Sequence, residues 1–480
     1  KEGGYSKIRG FSKYSSTEVP GTGPILALKV ISSARIVVAR KNASNQTQYY
    51  YGTGSTWVSM LDTDGNLSAS VGTNGGKARS VLYNLDGYDK VIFVDGTNFP
   101  AIYNTSGNNT TFLTASNSTA ISGAQHVAIF KDTAFYAKDN IITFTAPFTV
   151  DDFSAANGAG SLNVANNVTG LVVFRDQLII FTEDSIKRLT GSSSADFTVS
   201  PITDRMGCIN GDTIQEVGGD IMYLAPDGIR LLSATERIGD FGLGVTSDKI
   251  FKDVSTFINQ TSNFASVVLR EKAQYRIFAY TESETKETAK GLIATKFISQ
   301  GADGLNWSTT AGIKASIADS RYTSTLETVA FANEDGYVYT MESGTTFDGS
   351  NIRAIYESPF MPITDPQVRK TFYKLTLYAE PSASMELTLN VKYDFDSSTD
   401  TKVVQPATQQ ITGTGSSIFF FGASSSIFNT ATYGGELDKI YNTNIVGSGK
   451  TISLRIEDST TNPTFTLDTA LLEFSQEDRQ

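Results

Sequence analysis

The chain has 480 residues, among them 29 Phe, 21 Tyr and 41 Gly, and its formal net charge is −11. Acidity of this size argues against a surface built to hold nucleic acid, because phosphate neutralisation needs clustered Lys and Arg. The one cysteine, Cys208, excludes an intrachain disulfide, and with no His nearby we expect it to be a buried, unreactive side chain. No apolar run approaches the roughly 20 residues of a membrane-spanning helix.

Residues 1–23 are rich in Gly, Ser and Lys, and they predict an extended arm rather than part of a core. From residue 24 onward the chain changes to short apolar runs that end at Gly, Asn or Asp. Aromatic and β-branched residues suit a pleated surface, whereas Gly and Asn tolerate the positive φ of tight turns. This pattern predicts strands and turns with little helix.

The apolar runs recur in rounds of about 40–50 residues, which is the period of a four-stranded propeller blade. The clearest round has strands at Gly170–Phe174, Gln177–Thr182, Ser185–Leu189 and Phe197–Val199. Its first two strands are almost continuously apolar, as expected of strands buried on both faces. We count about seven rounds before residue 360. They contain Ala27–Ile31, Ser80–Tyr83, His126–Phe130, Gly170–Phe174, Ile221–Ala225, Val267–Leu269 and Thr328–Ala332.

A single four-stranded blade cannot bury both of its faces, so blades stack around an axis and close into a ring. Closure also removes exposed sheet edges. A string of β-sandwiches would need strict in/out alternation, which these inner strands lack, and a β-helix would show a shorter period. The sequence therefore predicts an all-β fold whose residues 24–363 form a β-propeller of about six or seven blades.

After residue 363 the strands become longer, and apolar and polar residues alternate along them. Alternation buries one face of a sheet and leaves the other face wet. We therefore predict a β-sandwich over residues 364–480. Its clearest strands are Phe372–Ala379, Met385–Tyr393, Thr451–Glu457 and Phe465–Phe474.

Few residues suggest chemistry. The single histidine, His126, opens an apolar strand as a satisfied core residue would, and no second His or Cys pair offers metal-ligand spacing. Asp151-Asp152 and the run from Glu282 to Glu287 come nearest to the paired carboxylates of glycosidases, but both resemble solvated loop tips. Asp62–Asn66 and Asp394–Asp396 carry oxygen ligands of the kind calcium uses, yet turn chemistry explains both. We therefore predict no catalytic residue, no cofactor-binding residue and no metal ligand, and expect the chain not to be an enzyme.

Five stretches resemble the nozzle, or tail tubular B, proteins of short-tailed bacteriophages, which are propeller-bearing tail proteins. The resemblance follows most of the chain in order, although none of its motifs is a catalytic signature and nozzle proteins are often longer. It implies a virion structural protein whose copies form a ring, typically a homohexamer, around the channel through which the genome leaves. The stretches are Gly3–Phe11, Gly170–Ile186, Tyr356–Pro359, Arg369–Leu375 and Phe465–Phe474.

The same resemblance implies three partners: further copies of the chain, other tail proteins such as adaptor and fibres, and genomic DNA that passes without specific binding. The acidic balance suits such a conduit, because a channel that must release a polyanion should not hold it. Two alternatives remain open. One is a glycan-binding or glycan-cleaving propeller on a tail tip or cell surface, and the other is a bacterial surface adhesion module.

Overall fold

The structure is a computed structural model of the chain. It describes residues 4–61, 74–85, 87–233, 245–261, 263–281, 283–299, 302–323, 326–382, 384–395, 408–413 and 440–476. These residues are mostly strand, and the chain divides into two compact units. One unit is Lys13–Thr340, and the other combines Lys1–Ser12 with Met341–Gln480.

Two short strands, β1 (Tyr5–Ser6) and β2 (Phe11–Lys13), come first. Four four-stranded antiparallel sheets follow, and each is built from strands that are consecutive in the chain. Their strands are β3 (Thr22–Ser32), β4 (Arg35–Lys41), β5 (Thr47–Gly52) and β6 (Trp57–Ser59); β7 (Arg79–Tyr83), β8 (Lys90–Val94), β9 (Ala101–Asn104) and β10 (Asn109–Phe112); β11 (His126–Phe130), β12 (Thr133–Lys138), β13 (Ile141–Phe144) and β14 (Gly160–Asn163); and β15 (Val168–Phe174), β16 (Gln177–Thr182), β17 (Ile186–Thr190) and β18 (Thr198–Thr203).

Three further sheets complete the series, and a ten-residue α-helix comes directly before the second of them. These elements are β19 (Gln215–Val217), β20 (Asp220–Ala225) and β21 (Gly228–Leu231); α1 (Phe251–Gln260); β22 (Phe264–Leu269), β23 (Gln274–Ala279), β24 (Lys290–Ser299) and β25 (Ala302–Ala311); and β26 (Ile317–Thr323), β27 (Leu326–Ala332) and β28 (Val338–Met341). Single 3-10 turns cover Thr119–Ile121, Ala155–Asn157, Gly211–Thr213, Asp248–Ile250 and Arg270–Lys272. The described residues thus hold seven blades, which confirms the predicted β-propeller.

Strand β16 shows why the blades must stack. Its residues Leu178 and Ile180 pack in a cluster with β12 of the preceding blade, whereas Ile179 and Phe181 pack in another cluster with β20 of the following blade. Alternate side chains of a strand point to opposite faces of the sheet. A strand that is apolar at every position therefore needs a neighbouring blade on each side.

The N-terminal segment of the propeller unit lies beside its last blade. The Tyr14 N–H donates to the Val338 carbonyl (2.8 Å), and the Val19 N–H donates to the Gly336 carbonyl (3.0 Å). Val19 is fully buried in a cluster that also holds Ile36 of the first blade and Val338 of the last. The structure therefore corrects the predicted arm over residues 1–23, because the second half of that segment closes the ring.

The other unit contains two four-stranded sheets, in the orders β1-β37-β32-β35 and β31-β36-β33-β34. Its core is one apolar cluster that includes Leu375, Leu389 and Leu454. This arrangement confirms the predicted β-sandwich. The short hairpin of β29 (Thr346–Phe347) and β30 (Ser350–Asn351) belongs to neither of these two sheets. The further strands of the sandwich are β31 (Ala354–Glu357), β32 (Lys370–Pro381), β33 (Met385–Tyr393), β34 (Gln409–Gly413), β35 (Ile440–Gly449), β36 (Ile452–Asp458) and β37 (Phe465–Gln476).

The sandwich unit extends beyond the predicted range of 364–480. Strand β31 precedes that range, and β1 comes from the opposite end of the chain to pair with β37 through Tyr5 and Leu467. The buried Lys7 ammonium adds a second connection, because it donates to Asp458 Oδ2 (3.0 Å) and to the Thr460 carbonyl (3.0 Å). Strands of two to four residues are too short to show alternation in a sequence, so their sheet is decided by tertiary pairing.

We expect the substitution Val19→Asp to lower the free energy of unfolding by at least about 3 kcal/mol, because it buries an unpaired carboxylate where the ring closes. Ser16→Asp is the matched control, since it adds the same charge to the same segment at an exposed position. We expect it to change stability by about 0.5 kcal/mol or less. Urea unfolding followed by fluorescence measures both, and equal midpoints would contradict the closure described above.

Candidate functional site

The first strands of all seven blades surround one cavity, which we call the axial cavity. Its volume is about 200 Å³, and residues of β3, β7, β11, β15, β19, β22 and β26, or directly beside them, line it. Charged side chains project from several of these strands, although most neighbouring positions are apolar. The axial cavity is therefore the place where groups distant in sequence meet.

Asp212 is the centre of the largest charged group in the axial cavity. Its Oδ2 lies 2.8 Å from Lys77 Nζ, and its Oδ1 accepts a hydrogen bond from Arg79 Nε at 2.8 Å. A 3-10 turn positions this carboxylate, because the Asn210 side chain caps the turn by accepting from the Asp212 N–H (2.8 Å). Lys77 and Arg79 are two positions apart, so an extended backbone directs both side chains to the same side.

The two cations make further contacts with other blades. Lys77 Nζ donates to the Phe264 carbonyl of the sixth blade (2.7 Å), and Arg79 Nη1 donates to the Gln125 carbonyl (3.3 Å). Burial raises the pKa of Asp212, but Lys77 and Arg79 outweigh that effect and hold the pKa well below its usual range. Burial lowers the pKa of Lys77, and Asp212 opposes that shift.

A second ion pair joins the first and last blades. Lys29 Nζ lies 2.8 Å from Asp319 Oδ1, and Asp319 Oδ2 accepts a hydrogen bond from the Val30 N–H (2.8 Å). Both side chains are largely buried. Asp212 and Asp319 are thus both engaged with cations, so neither is an unencumbered general base.

His126 lies on the wall of the axial cavity and is buried, as the sequence predicts. Burial, and after it the Arg79 cation, lowers the pKa of His126 to about 3. The imidazole is therefore neutral at pH 7. Cys208 is fully buried, as the sequence predicts, and burial raises the pKa of its thiol to about 12.

The candidate carboxylates that the structure describes do not line the axial cavity, although Asp151 borders a separate surface cavity. Asp152 accepts hydrogen bonds from the Ser154 N–H (2.8 Å) and from Asn157 Nδ2 (2.7 Å), which is the bonding of a loop that the sequence predicts there. In the second acidic run, Glu287 is exposed, while Glu282 lies outside the described residues.

Of the two candidate calcium sites, the structure describes only part of one. Asp394 accepts from the Lys450 N–H (2.6 Å) and the Thr451 N–H (3.1 Å), so it organises a turn as predicted. Asp396 and the whole of Asp62–Asn66 lie outside the described residues. Across the part of the chain that is described, no three His, Cys, Asp or Glu side chains are grouped as a metal site would need. No helix in that part is long and apolar enough to cross a bilayer.

Sequence reasoning missed the charged residues of the axial cavity. Arg79 and Asp212 are 133 positions apart, and no motif links them. A usable signal did exist for one charged residue of the cavity, because Lys29 lies within the first strand of a blade, between the apolar residues Leu28 and Val30. A charge at such a position needs a partner, and the ring supplies one.

No protein-family model and no curated protein matches this sequence. Among solved structures, an ancestral GH74 enzyme is similar at 10% identity with a TM-score of 0.44, over 72% of this chain and 52% of that one. The WD40 domain of Neurospora crassa Pan2 is similar at 9% identity with a TM-score of 0.40, over 70% and 97% of the two chains. Chaetomium thermophilum Raptor is similar at 8% identity with a TM-score of 0.41, and the matched region is 70% of this chain but only 29% of Raptor. Likenesses at this level carry no argument about function.

We expect Asp212→Asn to lower the free energy of unfolding by roughly 2–3 kcal/mol, because it leaves two largely buried cations without a counter-charge. The control is Asp176→Asn, which breaks a pair with Lys131 whose carboxylate is 78% exposed. An exposed pair contributes less than about 1 kcal/mol. Urea unfolding at pH 7 measures both variants, and an Asp212→Asn protein as stable as the control would exclude a stabilising role for the ion pairs of Asp212 with Lys77 and Arg79.

We also expect the wild-type protein to lose stability on acidification from pH 7 to pH 5. The unfolded chain binds a proton at His126 below about pH 6.5, whereas the folded chain does so only near pH 3. The unfolded state therefore takes up more protons in this window, and the loss is about 2 kcal/mol. Because the chain has a single histidine, His126→Gln is a clean comparison. Its stability should change much less between the two pH values, and an equal loss in both proteins would rule out His126 as the cause.

Proposed function

We propose that this chain is a non-enzymatic structural component of a bacteriophage tail, of the nozzle or tail tubular B kind. Copies of it form a ring, most simply a hexamer, around the DNA ejection channel in the virion. Adaptor and fibre proteins contact the outside of that ring. The family resemblance of the five sequence stretches motivates this proposal, and one structural observation supports it.

That observation is the pairing of charges in the axial cavity. Asp212 is engaged with Lys77 and Arg79, and Asp319 is engaged with Lys29 and the Val30 N–H. An enzyme needs a base or nucleophile that is poised to react with substrate. Here the ionised groups instead connect blades that lie far apart in sequence, which favours a mechanical role for the centre of the propeller.

The turns between the first two strands of several blades carry further connections to the next blade. Lys131 Nζ of the third blade lies 2.5 Å from Asp176 Oδ1 of the fourth, and Arg175 Nη2 of the fourth donates to the Gly219 carbonyl of the fifth (2.7 Å). Arg270 of the sixth blade pairs with Glu327 of the seventh at 3.4 Å. Each exposed pair contributes little alone, but together they suit a disc that keeps its shape within an assembly.

DNA in this proposal passes between copies of the chain, at the centre of their ring. The axial cavity of one propeller, at about 200 Å³, is far too small for a duplex whose major groove alone is about 12 Å wide. The net charge of −11 suits a wall past which a polyanion slides without being held.

A second candidate function, glycan binding, is favoured by one surface cavity. It lies between the second and third blades, and its walls include Asn104, Asn109 and Phe148. The Phe148 side chain is 68% exposed, and its backbone has a φ of 63°, which is unusual for an aromatic residue. An exposed aromatic ring beside amide groups is suited to stacking on a sugar.

The oligomeric state of the purified protein tests the leading proposal. We expect light scattering after size exclusion and negative-stain microscopy to show closed rings of about six copies, in line with the closed symmetry of homo-oligomers. We also expect no turnover of reporter glycosides. A protein that stays monomeric at every concentration, and that cleaves a glycoside less well after Asp319→Asn, would overturn the proposal.

The substitution Phe148→Ala tests the second candidate function, glycan binding. It should abolish any glycan binding without changing the oligomeric state.

A further inference from the structure

The axial cavity carries a surplus of positive charge within an acidic chain. Three cations line it, Lys29, Lys77 and Arg79, against the two carboxylates of Asp212 and Asp319. His126 adds no charge at pH 7, because its pKa lies near 3. The surplus is one positive charge, while the whole chain has a net charge of −11.

The three cations also retain hydrogen-bond capacity. An ammonium has three N–H donors and a guanidinium has five. Among the described contacts, Lys29 donates to Asp319, Lys77 to Asp212 and the Phe264 carbonyl, and Arg79 uses one N–H on each of its three nitrogens. Each of the three groups thus keeps at least one N–H for a further acceptor.

These donors lie where an added anion would be held strongly. The side chains of Lys29, Lys77 and Arg79 are 18%, 30% and 31% exposed, so they are reachable but poorly hydrated. Charge-assisted hydrogen bonds are strong, and electrostatic attraction rises as water is excluded. Ser80 and Gln215 add neutral polar groups to the wall.

We propose that the axial cavity binds a small polyatomic oxyanion, namely a phosphate or carboxylate group that accepts hydrogen bonds from Lys29, Lys77 and Arg79. A metal cation is disfavoured by the positive surplus. A drug-sized molecule is disfavoured by size, because such ligands occupy cavities of about 300–1,000 Å³, whereas this one has about 200 Å³. The proposal holds whether or not copies of the chain form a ring.

Titration of the wild-type protein is the first test. Calorimetry and thermal unfolding are followed with inorganic phosphate in one arm and succinate in the other, with sodium chloride keeping the ionic strength constant. We expect saturable binding in at least one arm and a rise in the unfolding temperature that grows with ligand concentration, because the ligand binds the folded state only. The arm that saturates identifies phosphate or carboxylate as the ligand class. No saturable binding of either anion at tens of millimolar would overturn the proposal.

Two variants locate the binding. Lys29→Gln removes one cation, but the amide of the new side chain can still donate a hydrogen bond to Asp319. We expect this variant to bind the anion roughly tenfold or more weakly, as loss of a charge-assisted hydrogen bond does. Lys374→Gln is the matched control, since it breaks a surface Lys–Glu pair in the sandwich unit and should leave affinity unchanged. Ala318→Leu, on the cavity wall, should abolish binding by filling space without altering charge. Unchanged affinity in Lys29→Gln, or an equal loss in Lys374→Gln, would show that the anion binds elsewhere.

Discussion

The propeller unit depends on one constraint, which is that a blade with two apolar faces must be covered on both. Strand β16 shows this directly, because its neighbouring residues belong to two different clusters on opposite sides of the sheet. The second blade repeats the arrangement, with Val91 and Phe93 in one cluster and Ile92 and Val94 in another. An open row of such blades would leave an apolar face exposed at each end. The energy of burial is therefore fully gained only when the last blade meets the first.

Closure places special demands on the segment from Lys13 to Val19. Val19 fills the space between the first and last blades, and Arg40 holds the backbone there by donating to the Val19 carbonyl (2.5 Å) and the Gly23 carbonyl (2.9 Å). Gly336 is needed beside this guanidinium, because its φ is 80° and any Cβ at that position would overlap Arg40. The ring is thus joined by backbone hydrogen bonds, apolar packing and one buried cation acting on the same few residues.

Closure also creates the axial cavity, which brings together charges that no single blade could accommodate. Burying a lone carboxylate or ammonium is costly, whereas a paired and hydrogen-bonded one is tolerated. Lys77, Arg79 and Asp212 satisfy one another across the ring, and Lys29 and Asp319 do so where the first and last blades meet. The same geometry gives these groups both a structural role and a proposed affinity for an oxyanion. After the ion pairs have formed, one positive charge and several N–H donors remain available.

The blades themselves were predictable, because their information is local. Apolar runs such as Gln177–Thr182 and turns such as Arg175-Asp176, both of whose residues adopt positive φ, define hairpins without reference to the rest of the chain. Long strands in which apolar and polar residues alternate, such as Met385–Tyr393, likewise predicted the β-sandwich. The burial of Cys208 and of His126 followed from composition and from their neighbours.

Other features were decided only when distant segments met. Strand β1 and Val19 carry too little pattern to reveal that one joins a sandwich sheet and the other closes a ring. The partnership of Arg79 with Asp212 spans 133 positions, and no spacing rule could predict it. Periodicity reports which face of a strand is buried, but the identity of the covering partner depends on the whole path of the chain. Sequence alone therefore determined the repeating unit, and the tertiary structure decided how the ring closes and which charges meet inside it.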